Sequence, residues 1–141
     1  MDIEFANAGT LDTNGTGWLI GFGDWTKAIE TGGTALRCMP ENALARNLQV
    51  KWMIHPAGDD RGTRKPISVG RSISILASES GRFRLEFSPD ANFPEGRTEC
   101  YTLEKHGDLV IWGENIYHRW FVEAACTIIT IRWTPVESVD A

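Results

Sequence analysis

Three histidines, His55, His106 and His118, are the side chains best suited to chemistry near neutral pH. An imidazole titrates at about pH 6.5 when unperturbed, so it can move a proton, hold an anion or, when neutral, ligate a metal. His118 is the leading candidate. It stands among aromatic residues in the run Gly107-Asp-Leu-Val-Ile-Trp-Gly-Glu-Asn-Ile-Tyr-His-Arg-Trp120. Strand alternation from His118 puts Trp120 and Val122 on its face, with Arg119, Phe121 and Glu123 on the other. An imidazole beside an indole makes a floor for a small, flat or anionic ligand, and the titration of the ring would make binding pH-sensitive. Tyr117 and Trp112 are placed to line the mouth of such a site, and Trp52, from the strand that carries His55, is a further ligand-binding candidate. The competing reading is a hydrogen-bonded core or rim histidine, a common role for a lone histidine on a strand.

His118 must be delivered by a hairpin. Gly107-Asp108 suits a tight turn, the β-branched Val110 and Ile111 favour an extended strand, and residues 113–115 turn the chain again. The rest of the sequence reads as strands of similar length. Residues 50–55 alternate, with Val50, Trp52 and Ile54 on one face and Lys51, Met53 and His55 on the other. Residues 82–87 alternate most cleanly, with Phe83, Leu85 and Phe87 inward and Arg82, Arg84 and Glu86 outward. Further strands are predicted at 18–22, 73–77, 100–103, 109–112, 118–123 and 126–133. Residues 41–48, after Pro40, are expected to form one or two helical turns. About eight short strands separated by turn signals, with at most one or two short helices, predict an all-β fold closed as a jelly-roll β-barrel.

The hairpin resembles the second motif of the cupin family: G, five residues, P-x-G, two residues, H, three residues, N. Gly107 falls on the first glycine and His118 on the histidine, in register; Gly113, Asn115 and Val122 stand where the proline, second glycine and asparagine would be. The likeness is to short bacterial cupin-like proteins. It implies a jelly roll and a metal cradle completed by a first motif, G, five residues, H-x-H, three or four residues, E, six residues, G. With the last glycine of that motif on Gly81, the glutamate position lands on Ser74 and, with the three-residue spacer, the histidines on Ser68 and Gly70. The first motif is therefore degenerate, and one histidine is no donor set for a divalent transition metal. No cofactor and no conventional metal are expected; should a metal bind, His118 and His55 would be its ligands. The resemblance implies a cupin-like protein binding a small molecule in the barrel lumen. The alternative is a metal-dependent cupin enzyme of oxygenase, isomerase or lyase type, with a site rebuilt around His118. Whether the chain is an enzyme stays open.

At 141 residues, 42% of them hydrophobic, the chain suits one domain with a real core. The expected organisation is an N-terminal arm or edge strand over 1–25, the barrel over 26–135 and a frayed tail over 136–141. Trp18 and Trp25 are expected to pack over a barrel end or a subunit interface, and a homodimer is expected. A net charge of −5 and a pI near 5.2 argue against nucleic acid as a partner. Arginine outnumbers lysine, and its fork suits carboxylates in the protein or in a ligand. Cys38, Cys100 and Cys126 are an odd set without C-x-x-C spacing, which favours reduced thiols in a cytoplasmic protein. There is neither a signal peptide at the N-terminus nor an apolar run long enough to span a bilayer, so no membrane partner is expected.

Overall fold

The computed structural model describes residues 1–23, 36–64 and 66–136. Their strands, in chain order, are β1 (Ile3–Asn7), β2 (Gly21–Phe22), β3 (Cys38–Met39), β4 (Leu44–His55), β5 (Arg71–Leu76), β6 (Ser80–Ser88), β7 (Glu99–Lys105), β8 (Asp108–Trp112), β9 (Tyr117–Ala124) and β10 (Cys126–Val136). One sheet has the order β1-β8-β5-β10-β4, another β7-β6-β9, and β2 and β3 form a short parallel pair. The two larger sheets are antiparallel throughout. Among the described residues the only helical piece is a 3-10 turn, Arg61–Thr63. The fold is all-β, a sandwich of antiparallel sheets compatible with a jelly roll. No ladder joins the two larger sheets among the described residues. The gap beside β9 is instead spanned by the chain between β4 and β5. Its Gly58 N–H donates to the Val122 carbonyl, His118 N–H donates to the Pro66 carbonyl, and Ile67 bridges to Tyr117.

Alternation decides what each sheet buries. On the five-stranded sheet, Leu76, Val110, Trp112, Cys126 and Ile128 point inward and meet Phe83, Leu85, Phe87, Leu103 and Val122 of the other sheet. Ile73, Leu109, Ile111 and Trp133 point outward. They are covered by the N-terminal part of the chain, including Leu11, Leu19, Ile20, Leu36 and Met39. That layer is pinned by Arg37, only 1% exposed, which pairs with Glu4 at 3.3 Å and donates to the Asp12 carbonyl at 3.1 Å. The N-terminal segment thus packs on the outer face of the sheet, with β1 as an edge strand beside β8.

The helix expected over 41–48 is not formed. Leu44, Ala45 and Arg46 extend β4 by pairing with Val136, Pro135 and Thr134 of β10. Cross-strand pairing outweighs the local preference after Pro40. A bulge near Asn47, which takes φ 57°, accommodates the extra β4 residue. The faces expected for 50–55 and 82–87 are observed. Phe83, Leu85 and Phe87 are buried. On the outer side of the same sheet Arg82 pairs with Glu104, Arg84 with Glu86 and Glu123, and Arg119 with Glu86. Trp18 is exposed, and Trp25 lies outside the described residues.

Leu103 is fully buried between the sheets. Leu103→Ala should lower the unfolding free energy by roughly 2–5 kcal/mol in urea denaturation, the usual cost of a large-to-small core change. A loss below about 1 kcal/mol would mean that the inner faces are not packed as described.

Candidate functional site

The hairpin that carries His118 is built from specific bonds. Asp108 Oδ2 accepts the N–H groups of Lys105 at 2.8 Å and Glu104 at 3.0 Å, and its Oδ1 accepts from Asn7 Nδ2 at 2.9 Å. Gly107 turns with φ 85° and Asn115 with φ 64°, so the chain leaves β8, crosses at residues 113–116 and enters β9. Ser68 Oγ donates to the Gly113 carbonyl at 2.6 Å and accepts the Ile116 N–H at 3.0 Å, which locks this crossing.

Between the sheets, toward β4 and β9, lies a cavity of about 200 Å³. That is the space of roughly seven waters at ~30 Å³ each, small beside drug-sized pockets. Its wall on the β6–β9 sheet is apolar and aromatic: Phe83 and Leu85 of β6, with His118 and Trp120 of β9. Its wall on the five-stranded sheet changes character along the strands. His55, Met53 and Ile128 lie at one end; the next row pairs Lys51 with Thr130 and Thr130 with Ser74; the row after that brings Arg132 beside Ser72, with Trp112 next to Ser72. Arg61, Gly62 and Arg64 close the top. Gly62 is required there by close approach, since a Cβ would lie 2.0 Å from the Trp120 ring.

His118 is 7% exposed and packs against Trp112, with ring centroids 5.3 Å apart. Among the described residues Nε1 of Trp112 has no hydrogen-bond partner and His118 Nδ1 none of good geometry, although the Ile116 backbone acts on the His118 ring; both nitrogens are sealed from the cavity space. Burial, aided by the positive charges of Arg132 and Lys51 and opposed by a hydrogen bond with the Ile116 backbone, pulls the His118 pKa down to about 4. His118 is therefore neutral at pH 7. His55 is equally buried but engaged: its Nδ1 lies 2.9 Å from Asp59 Oδ2, and its ring meets Trp120 edge-on at 4.6 Å. Burial lowers the His55 pKa, with the Asp59 bond opposing. Arg61 also bonds Asp59, through Nε at 2.9 Å, so that carboxylate, held well below its ordinary pKa chiefly by Arg61, is already shared. Lys51 is shifted down by burial first, then by Arg132 and Arg61.

The structure brings His118, Trp120, Trp112 and His55 into one cavity. Trp52 is not there. It belongs to the outer face of β4 and is 63% exposed, because alternation sends Lys51, Met53 and His55 inward and Trp52 outward. Tyr117 is half-buried at the start of β9 and does not line the cavity; its neighbour His118 takes the inward position. His106 is exposed, with Nδ1 near the Ser78 carbonyl. The positions matching the degenerate motif are also placed: Ser74 Oγ bonds Thr130 Oγ1 at 2.8 Å in the cavity wall, Ser68 is consumed by the hairpin, and at Gly70 a Cβ would meet the Trp133 carbonyl at 2.3 Å. Among the described residues no three His, Cys, Asp or Glu side chains converge as a metal site, and the surrounding cations would oppose a divalent ion. The donor set does not fit a metal.

Sequence reasoning missed Lys51, Arg61, Arg64 and Arg132 as site residues. Lys51 was readable as the partner of His55 in alternation, and Arg132 shares the β10 face of Ile128 and Thr130. Arg61 and Arg64 lie in a loop whose path no periodicity reveals. No protein-family model matches this chain, and no curated protein matches it either.

Because the folded His118 pKa lies below its unfolded value, the unfolded chain takes up this proton first as pH falls. Stability is then lost between about pH 6.5 and 4 and levels off below, by up to ~3 kcal/mol from this residue. NMR titration should show His118 protonating near pH 4. A midpoint near 6.5 would mean an open, hydrated ring.

Proposed function

We propose that this chain is a cupin-like protein that binds a small molecule in the cavity between its sheets, without a conventional metal site. The observation that carries this reading is the cavity itself, of about 200 Å³, with the rings of Trp112, Trp120, Phe83 and His118 in its walls beside a few hydroxyl and cationic groups. The aromatic wall of Trp120 and Phe83 supplies apolar contact, and the few polar groups supply orientation. A metal-dependent enzyme built on His118 and His55 is the weaker reading, because His55 Nδ1 is engaged by Asp59 and no third donor is present among the described residues.

The chain is also read as a homodimer that pairs through β4. Leu48, Val50, Trp52 and Ile54 are 63–71% exposed on one face of this last strand of its sheet. The row extends about 20 Å at ~3.4 Å per residue. Monomers seldom leave such a stripe bare, and edge strands are usually blunted by charge or cover. A second copy placed antiparallel would set the same apolar row against itself about a two-fold axis. The free thiols, of which Cys38 and Cys126 are buried, fit a reducing compartment, and a cytoplasmic location is proposed on that ground. Among the described residues no helix is long and apolar enough to cross a membrane.

A thermal-shift panel of small organic compounds should yield ligands that raise the Tm of the wild type. His118→Ala should keep its circular dichroism spectrum and lose most of that shift. A variant that fails to fold, together with a wild type that no compound stabilises, would make His118 a core residue and end the pocket reading. Sedimentation should give twice the 15.7 kDa chain mass, and Trp52→Glu should return it to a single chain. A wild type that sediments as one chain at micromolar concentration would dispose of the β4 dimer.

A further inference from the structure

Ion pairing is unevenly distributed over this molecule. The chain is acidic, with a net charge of −5, and most of its ion-paired arginines meet carboxylates away from the cavity: Arg37 with Glu4, Arg82 with Glu104, Arg84 and Arg119 with Glu86. Around the cavity the pattern reverses. Lys51, Arg61, Arg64 and Arg132 all line it, and among the described residues no carboxylate does. Asp59 lies just behind and is already bonded to Arg61 and His55. Among the described residues, Lys51, Arg64 and Arg132 have no acidic partner; Arg132 donates from Nε to Ser72 Oγ at 3.0 Å. Like charges gathered in a partly enclosed space repel more strongly than in bulk water, and an anion entering among them is attracted for the same reason.

We propose that the cavity receives a small organic carboxylate, with its anionic end met by Lys51 and Arg132 and its apolar body laid against Trp112 and Trp120. This rests on the ligand-binding reading above and deepens it to a chemical class. The arrangement of rows favours a molecule with two unlike ends. Lys51 and Arg132 occupy adjacent inward rows, beside the Thr130 and Ser74 hydroxyls, while Met53 and Ile128 continue the same wall as apolar surface. A free inorganic anion would leave that apolar half unfilled. The volume, about 200 Å³, admits a molecule the size of a short-chain or single-ring acid and excludes a nucleotide. The crowding is also felt by its neighbours, since Arg132 depresses the pKa of both His118 and Lys51 in addition to the effect of burial. A bound negative charge would relieve both.

The test pairs isosteres that differ in charge. Calorimetric titration and thermal shift are run on the full chain at pH 7 and low salt with benzoate, butyrate, their neutral amides benzamide and butyramide, and inorganic phosphate. The expected result is that at least one acid binds at least tenfold tighter than its amide and tighter than phosphate. Its binding should weaken with added salt and move the His118 titration midpoint upward in NMR spectra. Lys51→Gln and Arg132→Gln, each folded by circular dichroism, should each lose that preference while Arg97→Gln, outside the cavity, keeps it. If acid and amide bind equally, the cavity binds ligands but the anion assignment falls. If phosphate binds in preference to both acids, the apolar half is not used and the carboxylate class is wrong. If none of the five binds, both this inference and the ligand-binding reading it rests on are overturned.

Discussion

The structure depends on strict alternation along β10, the strand that sits between β5 and β4. Cys126, Ile128, Thr130 and Arg132 face the space between the sheets; Ile131 and Trp133 face the layer formed by the N-terminal part of the chain. A shift of one residue would exchange these sets, placing Arg132 in an apolar layer and Trp133 in the cavity. The sheet can bury both faces because each has its own cover, the β6–β9 sheet inside and Leu11, Leu19 and Leu36 outside. The bulge near Asn47 falls beyond the Gln49–Arg132 pair, so the irregularity in β4 leaves the inward rows of the cavity undisturbed.

Given those rows, the charge at the cavity mouth follows, where Lys51, Arg61 and Arg64 are exposed and Arg132 is half-buried. Side chains that meet the apolar core stay apolar toward Leu76 and Cys126, and the polarity rises toward Thr130, Ser72 and Arg132. The loop between β4 and β5 then adds Arg61 and Arg64, with Gly62 giving the room to seat against Trp120. Core packing alone gives no reason to gather cations here. Local departures from the rules that make a stable core tend to mark functional sites, and this cavity holds two: cations without acidic partners among the described residues and a histidine kept neutral.

Much of this was legible where the period is two. In 82–87 the buried face was readable from residue type, because apolar and charged residues alternate; in 50–55 and 118–123 the residues that share a face were readable, but in 50–55 the more apolar face, Val50, Trp52 and Ile54, proves to be the exposed one. The hairpin from Gly107 to His118 was readable too, where turn residues bracket a β-branched strand. Leu44 to Arg46 looked helical because their pairing with β10 joins residues about ninety apart in sequence, which no local signal carries. Alternation sets Trp52 and His55 on opposite faces, so the two could not share a site; the fold turns His55 inward and leaves Trp52 exposed. The basic lining was least visible. Arginines scattered through a loop and a strand read as ordinary surface charge until the fold turns them to one space.

A cationic, partly aromatic cavity that no described side chain fills is the feature on which the ligand-binding reading depends. A high-resolution crystal structure of the protein as purified, without added ligand, tests it most directly. The expected map shows continuous non-protein density in the cavity, with a negatively charged end near Lys51 and Arg132 and an apolar body against Trp120. A metal ion held there by His118 and His55, or a cavity closed by its own side chains, would contradict it.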